Sequence, residues 1–292
     1  MFKGFSQQLV RTNGVDINCV HGGDGPPLLL LHGYPQTHAM WHAVAPQLAR
    51  HFTVVAADLR GYGASGKPPT SDDHFPYSKR AMAADMAGLM QQLGHTRYGV
   101  LAHDRGARVA HRLALDHADQ VASMLLLDIA PTKEMYANTT DGFARAYWHW
   151  FFLIQPAPMP ERMIGADPRA FWLEKCGSGS AGLSVFTDAA RDAYLDAFCT
   201  PEAIAASCED YRAGATIDII HDDEDQGRLI DCPLRVLWGA QGAIEAHFDC
   251  LDLWRQRARQ VEGESLPGGH YLAEELPEHI ITQSLDFFKR NI

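Results

Sequence analysis

The segment Val100–Val109, VLAHDRGARV, has the pattern of a buried strand that turns sharply into a helix. Many hydrolases carry their nucleophile on such a turn, and the crowded backbone there requires small residues two positions before and two positions after the nucleophile. Ala102 and Gly106 meet this requirement around Asp104. The segment therefore predicts that Asp104, a carboxylate, occupies the position of the nucleophile.

Strand-like and helix-like segments alternate along the chain, as expected of a mostly parallel, doubly wound α/β sheet. A hairpin with Asn13-Gly14 at its turn is expected first. Apolar runs that suit buried strands follow at 27–32, 52–58, 98–104, 124–128 and 234–238, and amphipathic helical stretches lie at 40–50, 79–93 and 107–117. In such a sheet, ligands bind beyond the carboxyl ends of the strands.

The alternation stops between about Pro131 and Ile220, where the sequence is aromatic-rich, interrupted by prolines and helical in character. We expect this interval to form a helical cap over the strand ends. The predicted division is a first core part at 1–130, the cap at 131–220 and a second core part at 221–292.

Composition limits the possible functions. The formal net charge of −11 disfavours nucleic acid and anionic membranes as partners, because both require a basic face. No apolar run approaches the roughly 20 residues needed to span a bilayer, and no leader pattern is visible, so a cytoplasmic protein is expected.

The six cysteines form no CxxC pair. The cluster His221–Asp225 lacks the spacing of a metal loop, and we expect a solvated loop and no metal.

An aspartate in the nucleophile position suits attack on a saturated carbon, which forms an ester that water must then hydrolyse. Serine chemistry is disfavoured because no serine has a G-x-S-x-G context; the nearest match, at 263–267, ends in proline. Hydrolysis needs a general base, and hydrolases with this turn place their histidine last in chain order. His270, after Gly268-Gly269, is the predicted base.

A third residue, an acid, should orient His270. The usual position for this acid, in the segment 238–243, has no carboxylate, so Asp128 at the end of the run SMLLLD is the predicted acid. An aspartate before a helix is often only an N-cap, and Gly-Gly-His is often only a turn. The occurrence of all three residues in order, at strand ends, favours a catalytic set.

Arg105 and Arg108 lie on one face of the first helical turn after Asp104, where the helix dipole disfavours cations by about 0.3 to 1 kcal/mol each. A substrate carboxylate would explain this arrangement, because guanidinium groups grip carboxylates in a fixed orientation. The alternative is that one of the arginines pairs with an acid of the protein itself.

Several motifs together resemble the haloacetate dehalogenases of the α/β-hydrolase superfamily, over nearly the whole chain. They are HGYPQT (32–37), DLRGYGASGKP (58–68), HDRGARVAHRLALDH (103–117), LLLDIAPT (125–132), YWHWFFL (147–153), CEDYRAG (208–214) and GGHYLAEELPE (268–278). HGYPQ and GYGASGKP also occur in epoxide hydrolases and haloalkane dehalogenases, whereas HDRGAR is more specific.

The resemblance implies hydrolytic removal of halide from a short 2-haloacid such as fluoroacetate or chloroacetate, without a cofactor. Asp104 would attack the halogen-bearing carbon, and His270, oriented by Asp128, would activate water. Arg105 and Arg108 would hold the substrate carboxylate.

In the cap, the resemblance implies a halide pocket formed by His149, Trp150 and Tyr211. Tyr34 and Gln36 are expected to line the substrate pocket, and a homodimer through the cap is expected. The small residues of Cys176–Gly182 depart from the family, which has bulkier residues there. The alternatives are an epoxide hydrolase with the same Asp-His-Asp chemistry and a ligand-binding protein that retains the fold.

Overall fold

A computed structural model describes residues 1–179 and 181–292. Its described residues form one eight-stranded sheet with the strand order β1-β2-β4-β3-β5-β6-β7-β8. The strands are β1 (Ser6–Thr12), β2 (Val15–Gly22), β3 (Pro27–Leu31), β4 (Thr53–Ala57), β5 (Tyr98–His103), β6 (Val121–Leu127), β7 (Leu234–Gly239) and β8 (Val261–Leu266). All neighbouring pairs from β4 to β8 are parallel, so the predicted mostly parallel α/β sheet is confirmed.

The predicted hairpin is also confirmed. β1 and β2 pair antiparallel, with Thr12 opposite Val15. Asn13 and Gly14 between them have φ angles of 45° and 79°. Positive φ at both central positions is the backbone of the two-residue turns that match strand twist, and asparagine and glycine tolerate it best.

The central strands are apolar along their whole length because helices cover both faces of a parallel sheet. Leu28–Leu31 of β3 are fully buried between β4 and β5. The carboxyl ends of β3, β5 and β6 therefore lie side by side, and the loops that follow them meet at one edge of the sheet.

The core helices are α1 (Ala45–Leu48), α2 (Lys79–Gln92), α3 (Asp104–Asp116), α12 (Ala243–His247), α13 (Cys250–Arg255), α14 (Leu272–Glu275) and α15 (Pro277–Asn291). The single helix predicted at 40–50 is wrong: a 3-10 turn at His38–Trp41 precedes the short α1. Pro46 explains the break, because proline lacks the N–H that would continue a helix and is tolerated in the first turn. α3 begins at Asp104 itself.

In the described residues, eight α-helices lie between β6 and β7. They are α4 (Thr132–Ala137), α5 (Asp141–Ala146), α6 (Trp148–Leu153), α7 (Met159–Ala166), α8 (Pro168–Gly177), α9 (Asp188–Phe198), α10 (Pro201–Ala215) and α11 (Ile217–Glu224). The cap boundaries at 131 and 220 stay a prediction; α11 continues past the second. Within the described residues, no helix is long and apolar enough to cross a membrane.

The cluster His221–Asp225 is not a solvated loop, contrary to expectation. Most of it belongs to α11, and three of its acids pair with arginines of the core. Asp222 lies 2.8 Å from Nη2 of Arg112, and Asp225 lies 2.9 Å from Nη2 of Arg80. The cluster therefore ties the inserted helices to α2 and α3.

Candidate active site

Asp104 lies at the junction of β5 and α3 with a φ angle of 45°, a conformation that is costly for a residue with a side chain. The turn is tight: a Cβ on Gly106 would lie 2.5 Å from the backbone oxygen of His32, and one on Gly33 would lie 2.6 Å from Cβ of Asp104. Glycine is therefore required at both positions. The sharp strand-to-helix turn predicted from the sequence is present.

The carboxylate of Asp104 is almost fully buried, and its Oδ1 accepts a hydrogen bond of 2.9 Å from the backbone N–H of Tyr34. Burial alone would raise the pKa of Asp104. Electrostatic interactions with His270 first and then with His103, Arg108 and Arg105 outweigh burial and hold the pKa of Asp104 below its ordinary value. Asp104 is therefore an anion at neutral pH, as a nucleophile must be.

The predicted base and acid are in contact. Nδ1 of His270 lies 2.6 Å from Oδ2 of Asp128, which is fully buried at the end of β6. Oδ1 of Asp128 accepts a hydrogen bond of 3.0 Å from the backbone N–H of Gly239. Because the carboxylate holds the proton on Nδ1, the lone pair on Nε2 of His270 is available to a water molecule.

The loop after β7, which is the usual position of the acid, instead contacts Asp128. A Cβ on Gly242 would lie 3.3 Å from Oδ1 of Asp128. A carboxylate side chain at position 242 would crowd and repel Asp128, which explains why this position carries glycine.

Arg105 and Arg108, which looked equivalent in the sequence, differ in their partners. Arg105 donates from Nε and Nη2 to the two carboxylate oxygens of Asp210, at 2.9 and 2.7 Å, and its guanidinium lies 4.2 Å from the ring centroid of Tyr211. Asp210 also pairs with Lys79. Two nitrogens of Arg105 are thus bound by Asp210, and Nη1 has no hydrogen-bond partner among the described residues.

Arg108 is buried but has no acid partner among the described residues. Its Nη1 donates to the Thr132 hydroxyl and the Ala130 carbonyl, at 2.6 and 3.2 Å, and its Nε has no partner in the described chain. Burial, and then the repulsion by Arg105, lower the pKa of Arg108. The charge of Asp104 offsets part of the cost of burying this cation, and an anionic ligand bound directly to the guanidinium would offset more of it.

His149, Trp150 and Tyr211 form one buried cluster together with Tyr34. The ring centroids of Tyr211 lie 5.1 Å from Tyr34, 5.8 Å from His149 and 6.5 Å from Trp150. In the described part of the chain, the indole N–H of Trp150 and the hydroxyls of Tyr211 and Tyr34 have no hydrogen-bond partner. Such unpaired buried donors are expected where a ligand accepts hydrogen bonds.

A cavity of about 320 Å³ opens beside these residues. Four of the predicted site residues line it, namely Tyr34, Asp104, His149 and His270. Arg105, Arg108, Trp150 and Tyr211 are buried and are not among the residues that line it. Gln36 does not line the cavity; its amide Nε2 donates to Glu274 at 2.9 Å. Ser180, in the segment Cys176–Gly182, lies outside the described residues.

Three residues of the site were missed by the sequence analysis. Lys175 lines the cavity, and its Nζ donates to the Tyr271 hydroxyl at 3.2 Å. His103 contacts the backbone oxygen of His270 through Nε2 at 2.8 Å and so links the two predicted catalytic segments. The only signal for His103 and Tyr271 was that they are the sequence neighbours of Asp104 and His270, respectively. Nothing in the sequence around Lys175 indicated a place in the site.

Comparison with known proteins agrees with this architecture. The family model of the alpha/beta hydrolase fold matches residues 26–275. The chain is 49% identical to a fluoroacetate dehalogenase of Burkholderia sp., over 95% of this chain and 92% of the relative. It is 33% identical to a soluble epoxide hydrolase of Corynebacterium sp. (strain C12), over 94% of both chains.

The crystal structure of an α/β hydrolase from Nostoc sp. PCC 7120 superimposes with a TM-score of 0.95 at 52% identity, over 99% of both chains. The fold and the sequence thus agree over essentially the whole length. The chain belongs to the α/β-hydrolase superfamily, in the family that includes the fluoroacetate dehalogenase of Burkholderia.

Proposed function

We propose that the protein hydrolyses the carbon–halogen bond of short 2-haloacids, such as fluoroacetate or chloroacetate, and releases halide and the 2-hydroxy acid. The observation that carries this proposal is Arg108, a buried cation without an acid partner in the described chain, close enough to Asp104 to lower the pKa of that nucleophile. A substrate that is itself an anion supplies the missing charge. The similarity to a fluoroacetate dehalogenase supports the same class of substrate.

In the first step, Oδ2 of Asp104 would attack the halogen-bearing carbon while the Tyr34 N–H holds Oδ1 in place. The bond to the halogen breaks with its electron pair, and the halide leaves towards the unpaired donors of Trp150 and Tyr211, with His149 beside them. Fixed donors that point at a developing charge need no reorganisation during the reaction. The product of this step is an ester of Asp104.

In the second step, Nε2 of His270 would take a proton from a water molecule that attacks the ester carbonyl carbon of Asp104. The Tyr34 N–H, already bound to that carboxyl group, would stabilise the oxyanion. Asp128 would stabilise the imidazolium that forms, because it holds Nδ1 at 2.6 Å. The ester breaks, the 2-hydroxy acid leaves and Asp104 is restored.

The substrate carboxylate would be bound by Arg108, with Nη1 of Arg105 as a second donor. Arg105 has a further role, because its pairing with Asp210 at 2.7 Å anchors α10 and hence Tyr211. The two arginines would therefore differ in role, whereas the sequence predicted that both bind the substrate carboxylate in the same way.

The reaction needs only substrate and water, so we propose that it proceeds without a cofactor or metal. We further propose that the protein acts in the cytoplasm as a homodimer that pairs through the cap formed by residues 131–220. The six cysteines are free, as reducing conditions require. Analytical ultracentrifugation tests the dimer.

The test is an assay of halide release with fluoroacetate, chloroacetate and bromoacetate, in which glycolate is measured in parallel. We expect equal amounts of halide and glycolate from at least one of the three. If none releases halide and neutral epoxides are opened instead, the protein is an epoxide hydrolase. Absence of both reactions would favour the ligand-binding alternative.

A further inference from the structure

The cavity beside Asp104 is larger than a haloacetate needs. It holds about 320 Å³, the volume of on the order of ten water molecules at about 30 Å³ each. Chloroacetate, with two carbons and one chlorine, fills only part of such a space. Small residues form much of the wall, namely Ala146, Gly179, Gly242, Ala243 and Ala246. A substrate whose chain continues beyond the halogen-bearing carbon therefore has room in this cavity.

The wall also carries a positive charge that the proposed dehalogenation does not use. Lys175, on α8, lines the cavity, and Asp104 is the only acidic residue that lines it in the described part of the chain. Asp104 is committed to attack on the substrate carbon. Among the described residues, no acid forms an ion pair with Lys175. The charge of its ammonium group is thus available to an anion in the cavity.

Tyr271 holds the ammonium group of Lys175 at the cavity. The Tyr271 hydroxyl donates its proton to Sγ of Cys176 at 3.4 Å, so its oxygen accepts a hydrogen bond from Nζ of Lys175 at 3.2 Å. An ammonium group has three protons to donate. Because this is the only hydrogen bond that Nζ forms to the described residues, the other protons remain for a ligand.

The charge of Lys175 lies close to the reaction centre. Nζ is 5.8 Å from the ring centroid of Tyr34, whose backbone N–H binds Oδ1 of Asp104. Burial first, and then the charge of Lys175, lower the pKa of His149 well below its ordinary value, so His149 is uncharged at neutral pH. Lys175, and not His149, therefore supplies the positive charge on this part of the wall.

We propose that the protein accepts short 2-halodicarboxylates, such as 2-chlorosuccinate, and binds their distal carboxylate through Lys175. This rests on the proposed function, because Asp104 is again the nucleophile and halide is again the leaving group. The distal carboxylate can accept a charge-assisted hydrogen bond from Nζ, which is about twice as strong as a neutral one. An alkyl chain or a neutral amide in the same place would leave the ammonium group without a counter-charge.

The atoms and electrons of this reaction balance with water alone. Oδ2 of Asp104 bonds to C2 of 2-chlorosuccinate, and the carbon–chlorine bond breaks with its electron pair on chloride. Water attacks the ester carbonyl of Asp104 and gives a proton to His270. The ester then breaks, and the product is 2-hydroxysuccinate. One proton of the water ends on the hydroxyl group of this product, and the other passes to the solvent.

The experiment measures halide release by the wild-type protein from three compounds in about 0.5 M salt, which screens long-range attraction. They are chloroacetate, racemic 2-chlorosuccinate and racemic 3-carbamoyl-2-chloropropanoate, in which a neutral amide of the same shape replaces the distal carboxylate. The kcat/KM for 2-chlorosuccinate should exceed that for the amide at least about 10-fold, the gain from a hydrogen bond between charged groups.

Equal kcat/KM values for 2-chlorosuccinate and the amide would overturn the inference. So would halide release from a haloacetate without release from 2-chlorosuccinate, and the proposed function would then stand. No halide release from these compounds or from the other haloacetates would overturn the proposed function, and the inference with it.

Variants of Lys175 separate direct binding from long-range attraction. In the same salt, Lys175→Gln should raise KM for 2-chlorosuccinate about 10-fold or more relative to its effect on the amide, because a pair held inside a cavity is screened little. Lys175→Arg, which keeps the charge, should restore most of the loss. Lys133→Gln, on α4 outside the cavity, should change neither KM. Equal changes for the two compounds in Lys175→Gln would show that Lys175 does not bind the distal carboxylate.

Discussion

At the scale of single residues, the contrast between Arg105 and Arg108 defines the site. Both are buried in the first turn of α3, yet Arg105 is paired with Asp210 and Arg108 has only neutral acceptors. The sequence predicted that both arginines bind a carboxylate. It could not show which of them pairs with an acid of the protein, because Asp210 is 105 positions away from Arg105 in the chain. Only the fold decides which arginine remains free for a ligand.

The two arginines should therefore respond in opposite ways to neutralisation. Arg108→Gln should raise KM for chloroacetate about 10- to 100-fold, the cost of losing a hydrogen bond to a charged group, with no loss of stability. Arg105→Gln should cost about 3 to 5 kcal/mol of unfolding free energy, because it breaks a buried ion pair. Steady-state kinetics and urea unfolding measure the two effects.

Chloroacetamide, a neutral analogue, is the control for Arg108. In Arg108→Gln, turnover of chloroacetamide should decrease far less than turnover of chloroacetate. Equal losses for the two compounds, or a large fall in stability, would show that Arg108 is a structural residue.

At the scale of elements, the strand ends were the most predictable part of the site. Asp104, Asp128 and His270 each follow an apolar strand-like run, so their convergence at one edge follows from the pattern of a parallel sheet. The contents of the inserted helices were far less predictable, since several short helices pack through aromatic contacts that no periodicity encodes. The proposed halide pocket of His149, Trp150 and Tyr211 was predicted only through family resemblance.

Glu274 on α14 links three parts of the structure. Its Oε1 accepts a hydrogen bond from the Tyr194 hydroxyl on α9 at 2.7 Å, and its Oε2 accepts one from Nε2 of Gln36 at 2.9 Å. Burial raises the pKa of Glu274 to about 8, against an ordinary value of 4.5. The folded state therefore keeps a proton on Glu274 at neutral pH, whereas the unfolded chain loses it near pH 4.5.

This difference predicts a pH-dependent stability. The contribution of Glu274 is fully present below about pH 4.5 and is lost as pH rises through about 8. The unfolding free energy of wild type relative to Glu274→Gln should fall between pH 5.5 and 8.5 in urea titrations. The exposed Glu278→Gln is the control, and a difference that does not change with pH would contradict the raised pKa.

At the scale of the whole molecule, an acidic protein is proposed to bind a small anion. The net charge of −11 repels such a substrate from the surface, so attraction must be local. In the described part of the chain, Lys175 is the only lysine or arginine that lines the cavity, and its side chain forms no ion pair with the protein. Its Nζ lies 5.8 and 5.6 Å from the ring centroids of Tyr34 and Tyr271.

Lys175→Gln should lower kcat/KM for chloroacetate about twofold to 10-fold at low ionic strength and leave kcat nearly unchanged. The ratio of wild type to variant should shrink towards one as salt is added, because screening removes the attraction. Lys133→Gln, on α4 outside the cavity, should have no such effect. A salt-independent ratio would mean that Lys175 acts only by packing.

The most direct test of the central claim is the fate of Asp104 when the second step is blocked. His270→Asn incubated with chloroacetate should release one chloride per chain and carry one carboxymethyl group, which peptide mass spectrometry should locate on Asp104. Asp104→Asn should release none. Chloride release by His270→Asn without any modification of Asp104 would mean that water displaces the halide directly, and the account of an aspartyl ester would be wrong.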